Sequence, residues 1–148
     1  LIAFDRDALL REFYFPHVGQ ETHTKGEPFR IGVWANGQFN WVPDGWEIKR
    51  DYLNDSLVTD VELRSEAMGL RIVMNDLVDF EENLYLKKIS VENLGQKAKE
   101  VRIFLAHDFA IYGNDIGVTL IQIHLPALFL FILPLMPQGA AHTIKAGQ

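Results

Sequence analysis

Carboxylates and imidazoles are the residues of this 148-residue chain that are equipped for chemistry; cysteine is absent, so no thiolate nucleophile, disulfide or thiolate metal site is available. His17, Gln20, Glu21 and His23 lie close together in "FYFPHVGQETH", and His107 and Asp108 are adjacent further on. Zinc requires three or four such ligands converging with fixed geometry. No His-x-His or His-x-x-x-His pair enforces that convergence, and each imidazole has the simpler use of bonding a carbonyl or carboxylate at a strand end. Hydrolysis of a glycosidic bond needs two carboxylates in different environments, one protonated and one ionised. Glu21, Glu47, Asp60, Asp76, Asp79, Glu81, Glu82 and Asp108 are candidates by type, but their abundance selects none. Trp34, Trp41 and Trp46 are candidates for stacking on the C–H faces of pyranose rings. The competing use of Trp34 and Trp41, which flank a turn, is cross-strand packing in a core or a domain interface.

The elements that must position these residues are strands. From Leu1 to about Tyr112, short alternating apolar runs are separated by Gly, Asn, Asp and Pro, which predicts an all-β antiparallel fold. The clearest hairpin joins Phe29–Trp34 to Phe39–Val42 through Asn36-Gly37, a pair suited to the two positive-φ positions of a type I′ turn. Pro43-Asp44-Gly45 then turns into a strand with Trp46, Ile48 and Tyr52 on its packed face. Leu57–Arg64 alternates in the same way, and Met68-Gly69 turns into Leu70–Met74, which Asn75-Asp76 is expected to close. Strands over Leu84–Asn93 and Val101–Phe109 follow, joined by Leu94–Lys99 at hairpin length. Lys87-Lys88 breaks the alternation of Leu84, Leu86, Ile89 and Val91 and suggests a bulge. Asp7–Glu12 alone has the makings of a helical turn, too short to stand by itself.

The length suits one domain with a single core. A net charge of −6 without clustered Lys and Arg argues against a nucleic-acid partner. The first residues, with Asp5, Arg6 and Asp7, do not make a signal peptide, and with Leu1 in first place the chain reads as a fragment whose localisation is open. Beyond Gly117 the composition shifts to an apolar stretch with no acid and one Lys, Lys145. Three readings compete for it: a membrane span, against which Gln122, His124, Pro126 and Pro134 interrupt a run shorter than the required ~20 residues; a buried strand pair, comfortable over Val118–Ile123 but not over Leu128–Met136; and a tail foreign to the domain, such as a reading-frame slip would produce.

In order along the chain, "FDRDALLREFYFPHVGQETH", "FRIGVWANGQFNW", "DGWEIKRDY", "LVTDVELRSEAMGLRIVMNDLVDFEENLYLKKISVENL" and "EVRIFLAHDFAIYGNDIG" span residues 4 to 117. This string resembles the N-terminal β-sandwich of bacterial glycoside hydrolase family 15 proteins, the glucoamylase-like enzymes. The resemblance implies an antiparallel β-sandwich of the galactose-mutarotase-like supersandwich type, here incomplete, preceding a helical barrel that carries both catalytic glutamates. It implies that the parent enzyme releases glucose from α-linked glucans without a cofactor, and that this chain, lacking the barrel, has no catalytic residue of its own. After Gly113–Gly117 the likeness fails: an Asp-Thr pair is expected where Val118-Thr119 stands, which favours the frame-slip reading and a boundary at residue 117. His17, Gln20, Glu21, His23, His107, Asp108 and Tyr112 then become the candidate interface with the barrel or the mouth of its active site. Two rivals to this support role remain: a carbohydrate-binding module using the tryptophans, and a free-standing enzyme built on His17, His23 and Asp108.

Overall fold

The computed structural model describes residues 1–15, 17–82 and 84–107 in full and the backbone of 127–135 and 141–147. Among these the regular elements are all strands: β1 (Ile2–Phe4), β2 (Leu10–Phe13), β3 (Arg30–Ala35), β4 (Gln38–Trp41), β5 (Glu47–Tyr52), β6 (Thr59–Ser65), β7 (Leu70–Val78), β8 (Tyr85–Asn93), β9 (Lys99–His107), β10 (Ala127–Leu135) and β11 (Ala141–Gly147). They form an antiparallel β-sandwich. One sheet has the order β10-β9-β3-β4, the other β11-β8-β7-β6-β5, and β1 and β2 make a separate two-stranded ribbon.

Period-two alternation explains how the layers close. Ile31, Val33 and Ala35 of β3 and Val101, Ile103 and Leu105 of β9 point inward from one sheet. Val61 and Leu63 of β6, Leu70, Ile72 and Met74 of β7, and Ile89 and Val91 of β8 meet them from the other. Burying each such aliphatic side chain contributes about 1.5–3 kcal/mol, enough for these residues to fix which face of every strand is inside. Ala8 and Leu9, in the turn of the β1–β2 ribbon, join the same core and so tie the ribbon to the sandwich.

The hairpin at Asn36-Gly37 forms as its residues require, with φ of 52° and 81° and Ala35 opposite Gln38. Five expectations are corrected. Asp7–Glu12 is turn and strand rather than helix, because Leu10–Phe13 pairs with β1. Asp76 does not end its strand; β7 runs on to Val78 because the Asp76 side chain finds partners inside. The β7–β8 register is continuous from Leu70↔Asn93 to Val78↔Tyr85, so Lys87-Lys88 is no bulge; the described register shift lies between Ala3 and Phe4. Leu94–Lys99 does not close a hairpin either. It arches from β8 in one sheet to β9 in the other, held by Asn93, whose Oδ1 accepts from Gly95 N at 3.0 Å and whose Nδ2 donates to Lys97 O at 2.8 Å. Tyr52, expected on a packed face, is exposed because β5 is an edge strand that outruns the core.

The apolar segment past residue 117 enters the sheets at two places. The backbone of β10 pairs with all of β9, from Ala127↔His107 to Leu135↔Lys99, and β11 pairs with β8 from Ala141↔Glu92 to Gly147↔Leu86. Leu128–Leu135 is therefore strand, against expectation, and Pro134 is tolerated in it because β10 is an edge. Val118–Ile123 lies outside the described residues, and among those described no helix is long and apolar enough to cross a membrane. Because β10 and β11 cover one edge of each sheet, removing residues 118–148 is expected to lower the melting temperature by several degrees and blunt its cooperativity; an unchanged transition by circular dichroism would show that the segment is an appendage.

Candidate functional site

Two places bring functional side chains together: the inward-facing end of β7, β8 and β9, and the outward face of the β3–β4 hairpin. At the first, the pleat puts Asp76 and Lys87 directly opposite each other on neighbouring strands and both inside. Lys87 Nζ lies 2.7 Å from Asp76 Oδ1, with side chains 10% and 1% exposed. Tyr85 donates its hydroxyl to the same oxygen at 2.5 Å, and Thr59 Oγ1 donates to Asp76 Oδ2 at 3.2 Å while accepting Asp76 N at 2.8 Å. Burial first, then the Asp76 charge and hydrogen bond, push the Tyr85 phenol far above its usual range, so it serves as a donor and not as a phenolate. Lys87 also lies 5.7 Å from the centre of the Phe4 ring, which links the cluster to the ribbon.

His107 ends β9 at the inward parity and stacks on Phe29, with centroids 4.5 Å apart and planes at 26°. Together with Tyr85 and Lys87 it lines a narrow crevice. Burial, and secondarily the Lys87 charge, lower its pKa to about 4, so the imidazole is neutral at physiological pH. Its sequence neighbours in the candidate set, Asp108 and Tyr112, lie outside the described residues, as does Pro16.

The β2–β3 loop separates its candidates. His17, Gln20 and Glu21 are exposed, whereas His23 is buried, with Nε2 3.2 Å from Phe15 O and its ring edge-on to Phe13. His23 N donates to Phe13 O at 2.8 Å and Phe13 N donates to Thr22 Oγ1 at 3.1 Å, so the loop folds back along the strand that precedes it. Among the described residues no three of His, Asp and Glu are grouped so as to hold a metal ion.

The tryptophans also divide. Trp46 is in the core, its indole N–H without a hydrogen-bond acceptor among the described residues, and being enclosed it is not placed to stack on a sugar. Trp34 and Trp41 instead share the outer face of the four-stranded sheet with Phe39 and Phe104. Phe39 stands edge-to-face with Trp41 at 5.0 Å and with Phe104 at 5.4 Å. Arg102 lies over Trp34 at 4.6 Å. Gly32 is required beneath them, since a Cβ there would come within 2.7 Å of Phe39 Cζ and 3.0 Å of Trp41 Cε3. The other outer face is charged: Arg71 bonds Glu62 at 2.6 Å and Glu92 at 3.2 Å, and Lys49 reaches Glu62 at 3.9 Å. The Arg71 hydrogen bond holds the Glu62 carboxyl below its usual range.

The Asp76 cluster escapes a reading by residue type, although its signal is present. Asp76 follows Leu70, Ile72 and Met74 at the inward parity, and Lys87 precedes Ile89 and Val91 at theirs; opposite charges at inward positions of successive strands mark a buried pair. Compared with known proteins, the chain matches no family model, no curated protein and no solved structure.

The position of His107 sets a pH dependence. The unfolded chain takes up this proton near the ordinary 6.5 and the folded chain only near 4, so its contribution to stability is whole above about pH 6.5 and is lost as pH falls toward 4. With a discount for partial exposure, the loss is on the order of 2 kcal/mol. Denaturant unfolding at pH 7 and pH 4.5 should show this loss in the wild type and not in His107→Gln, beyond the acid sensitivity the two share; equal losses would contradict the assignment.

Proposed function

We propose that this chain is a support and interface module: the N-terminal β-sandwich of a glucoamylase-like glycoside hydrolase that releases glucose from α-linked glucans, with both catalytic carboxylates on a helical barrel outside this chain. The observation that carries the reading is the coincidence of motif and element. "FRIGVWANGQFNW" is the β3–β4 hairpin, "DGWEIKRDY" contains β5, the long fourth motif contains β6, β7 and β8, and "EVRIFLAHDF" takes in β9 from Glu100 to His107. A likeness whose pieces follow successive strands of one sandwich in order is what a shared fold requires.

The chemistry of the described carboxylates agrees with a supporting role. Asp76 is enclosed and already engaged by a cation and two hydroxyls, which leaves it no lone pair aimed at solvent. Glu62 and Glu92 are spent on the Arg71 ladder at the outer surface. A carboxylate poised as a general acid needs an environment that raises its pKa, and the Arg71 hydrogen bond shifts Glu62 the other way. His17, Gln20 and Glu21, exposed on the β2–β3 loop, remain the candidate contacts with the barrel.

A second reading, a carbohydrate-binding module, is favoured by the outward aromatic group of Trp34, Phe39, Trp41 and Phe104. Ring faces on a sheet surface suit pyranose C–H groups, with Arg102 as a polar neighbour. Calorimetric titration with maltooligosaccharides separates the two. The support reading expects no heat of binding and no hydrolysis of maltose, soluble starch or nitrophenyl glucoside above background. Saturable heat abolished by Trp41→Ala would establish the sugar-binding reading, and turnover abolished by an Asp or Glu substitution would overturn both.

A further inference from the structure

Two tips of the five-stranded sheet are built in a way that the core does not explain. The β5–β6 connection, residues 53–58, and the start of the β7–β8 connection, residues 79–82, emerge at the same end, because Asp76 and Asn75 of β7 bond Thr59 at the start of β6. The two hairpins are neighbours in the sheet, so their axes are about 10 Å apart, two strand spacings. Each tip is held by its own hydrogen bonds. In the first, Leu53 N donates to Val58 O at 2.9 Å, Ser56 N to Leu53 O at 3.1 Å and Val58 N to Ser56 Oγ at 3.2 Å, with Asp55 at φ 56°. In the second, Asp79 Oδ1 accepts Glu81 N at 2.9 Å and Glu82 N at 2.8 Å. These bonds hold Asp79 ionised, below its usual pKa.

What these ordered tips present is apolar. Leu57 is 90% exposed and Phe80 94% exposed, with Tyr52, Leu53 and Val78 also exposed around them. A single exposed apolar residue needs no explanation, but two on adjacent, internally hydrogen-bonded turns with apolar neighbours form a patch. Preorganised turns that carry large anchors are what a protein interface uses, because little ordering entropy is then lost on binding. The setting is acidic throughout. Asp51, Asp55, Asp79, Glu81 and Glu82 surround the apices, and no Lys or Arg occurs from Asp51 to Leu63 or from Ile72 to Leu86. That charge disfavours an anionic lipid surface or a nucleic acid, and disfavours a second copy of a chain whose net charge is −6. It matches a basic surface.

We propose that the tips 53–58 and 79–82 form a docking surface for a protein partner that offers apolar pockets to Leu57 and Phe80 and Lys or Arg to the acidic rim. This goes beyond the support reading, since it identifies the partner by its surface chemistry and holds whether or not that partner is a helical barrel. The test is amide chemical-shift mapping on the full 148-residue chain, titrated with a synthetic peptide of alternating Lys or Arg with Leu and Trp, and separately with its Glu-substituted counterpart. Saturable shifts confined to 53–58 and 79–82 are expected with the basic peptide alone, weakened by salt and at least tenfold by Leu57→Ser with Phe80→Ser. Both side chains are exposed, so that double variant should melt as the wild type does; if it does not fold, Glu81→Lys with Glu82→Lys should give the same tenfold loss. Shifts centred elsewhere, equal response to both peptides, or affinity indifferent to these variants overturns the proposal. Self-association of the chain that Leu57→Ser with Phe80→Ser abolishes also overturns it, by giving the surface to a second copy. None of these outcomes depends on whether the chain binds or cleaves maltooligosaccharides, so the two readings fail separately.

Discussion

A cation and a carboxylate enclosed on opposed strands set the constraint from which much of this sandwich follows. Asp76 and Lys87 face each other across β7 and β8 at positions where the pleat offers only the interior. A slip of one residue would turn Lys87 outward and leave Asp76 buried without its cation, at a cost of several kcal/mol. The register that the pair selects also aligns Ile72 with Val91 and Met74 with Ile89, so the electrostatic and hydrophobic requirements agree. Thr59 extends the constraint to β6, Phe4 to the N-terminal ribbon and His107 to the opposing sheet.

The far end of the sandwich is closed by a different device. Lys99, at the start of β9, donates to Met68 O at 2.8 Å and to Gly69 O at 3.1 Å in the β6–β7 turn, and Leu94 N donates to Gly69 O at 3.0 Å. Burial lowers the Lys99 pKa, the mark of a cation drawn toward carbonyls at the sheet interface. Between these two ties the sheets differ on their outer faces. One carries the Lys49–Glu62–Arg71–Glu92 ladder and is at ease in water; the other carries aromatic rings packed over Gly32. The acidic, apolar tips form a third surface, on the sheet whose face is charged.

The strands were legible because period-two alternation is enforced by burial, and the Asn36-Gly37 turn because few residues accept two positive φ values. What alternation could not tell was sheet membership. The six residues Leu94–Lys99 suit a hairpin or an arch equally well, and only the three-dimensional packing of Val101, Ile103 and Leu105 against β7 and β8 decides for the arch. Lys87-Lys88 misled for a related reason: the pair was taken to break the alternation and make a bulge, whereas a carboxylate at the matching inward position lets Lys87 continue it inside. Alternation also sent Tyr52 to a core that β5 does not reach, and the turn that Trp34 and Trp41 flank could not tell which face of the sheet they share. Of the candidate site, the histidine loop was legible by residue type, but the inward position of His23 and His107 depended on strand parity and turn bonding.

A double-mutant cycle on Asp76 and Lys87, measured by denaturant unfolding at pH 7, tests this account most directly. Asp76→Leu and Lys87→Met alone should each cost about 3–5 kcal/mol, since each strands an opposite charge in the interior. Together they should cost far less than the sum, because an apolar pair of similar volume removes both charges at once. Small and additive losses would contradict the account, because they would mean that the register of the sandwich does not rest on this pair.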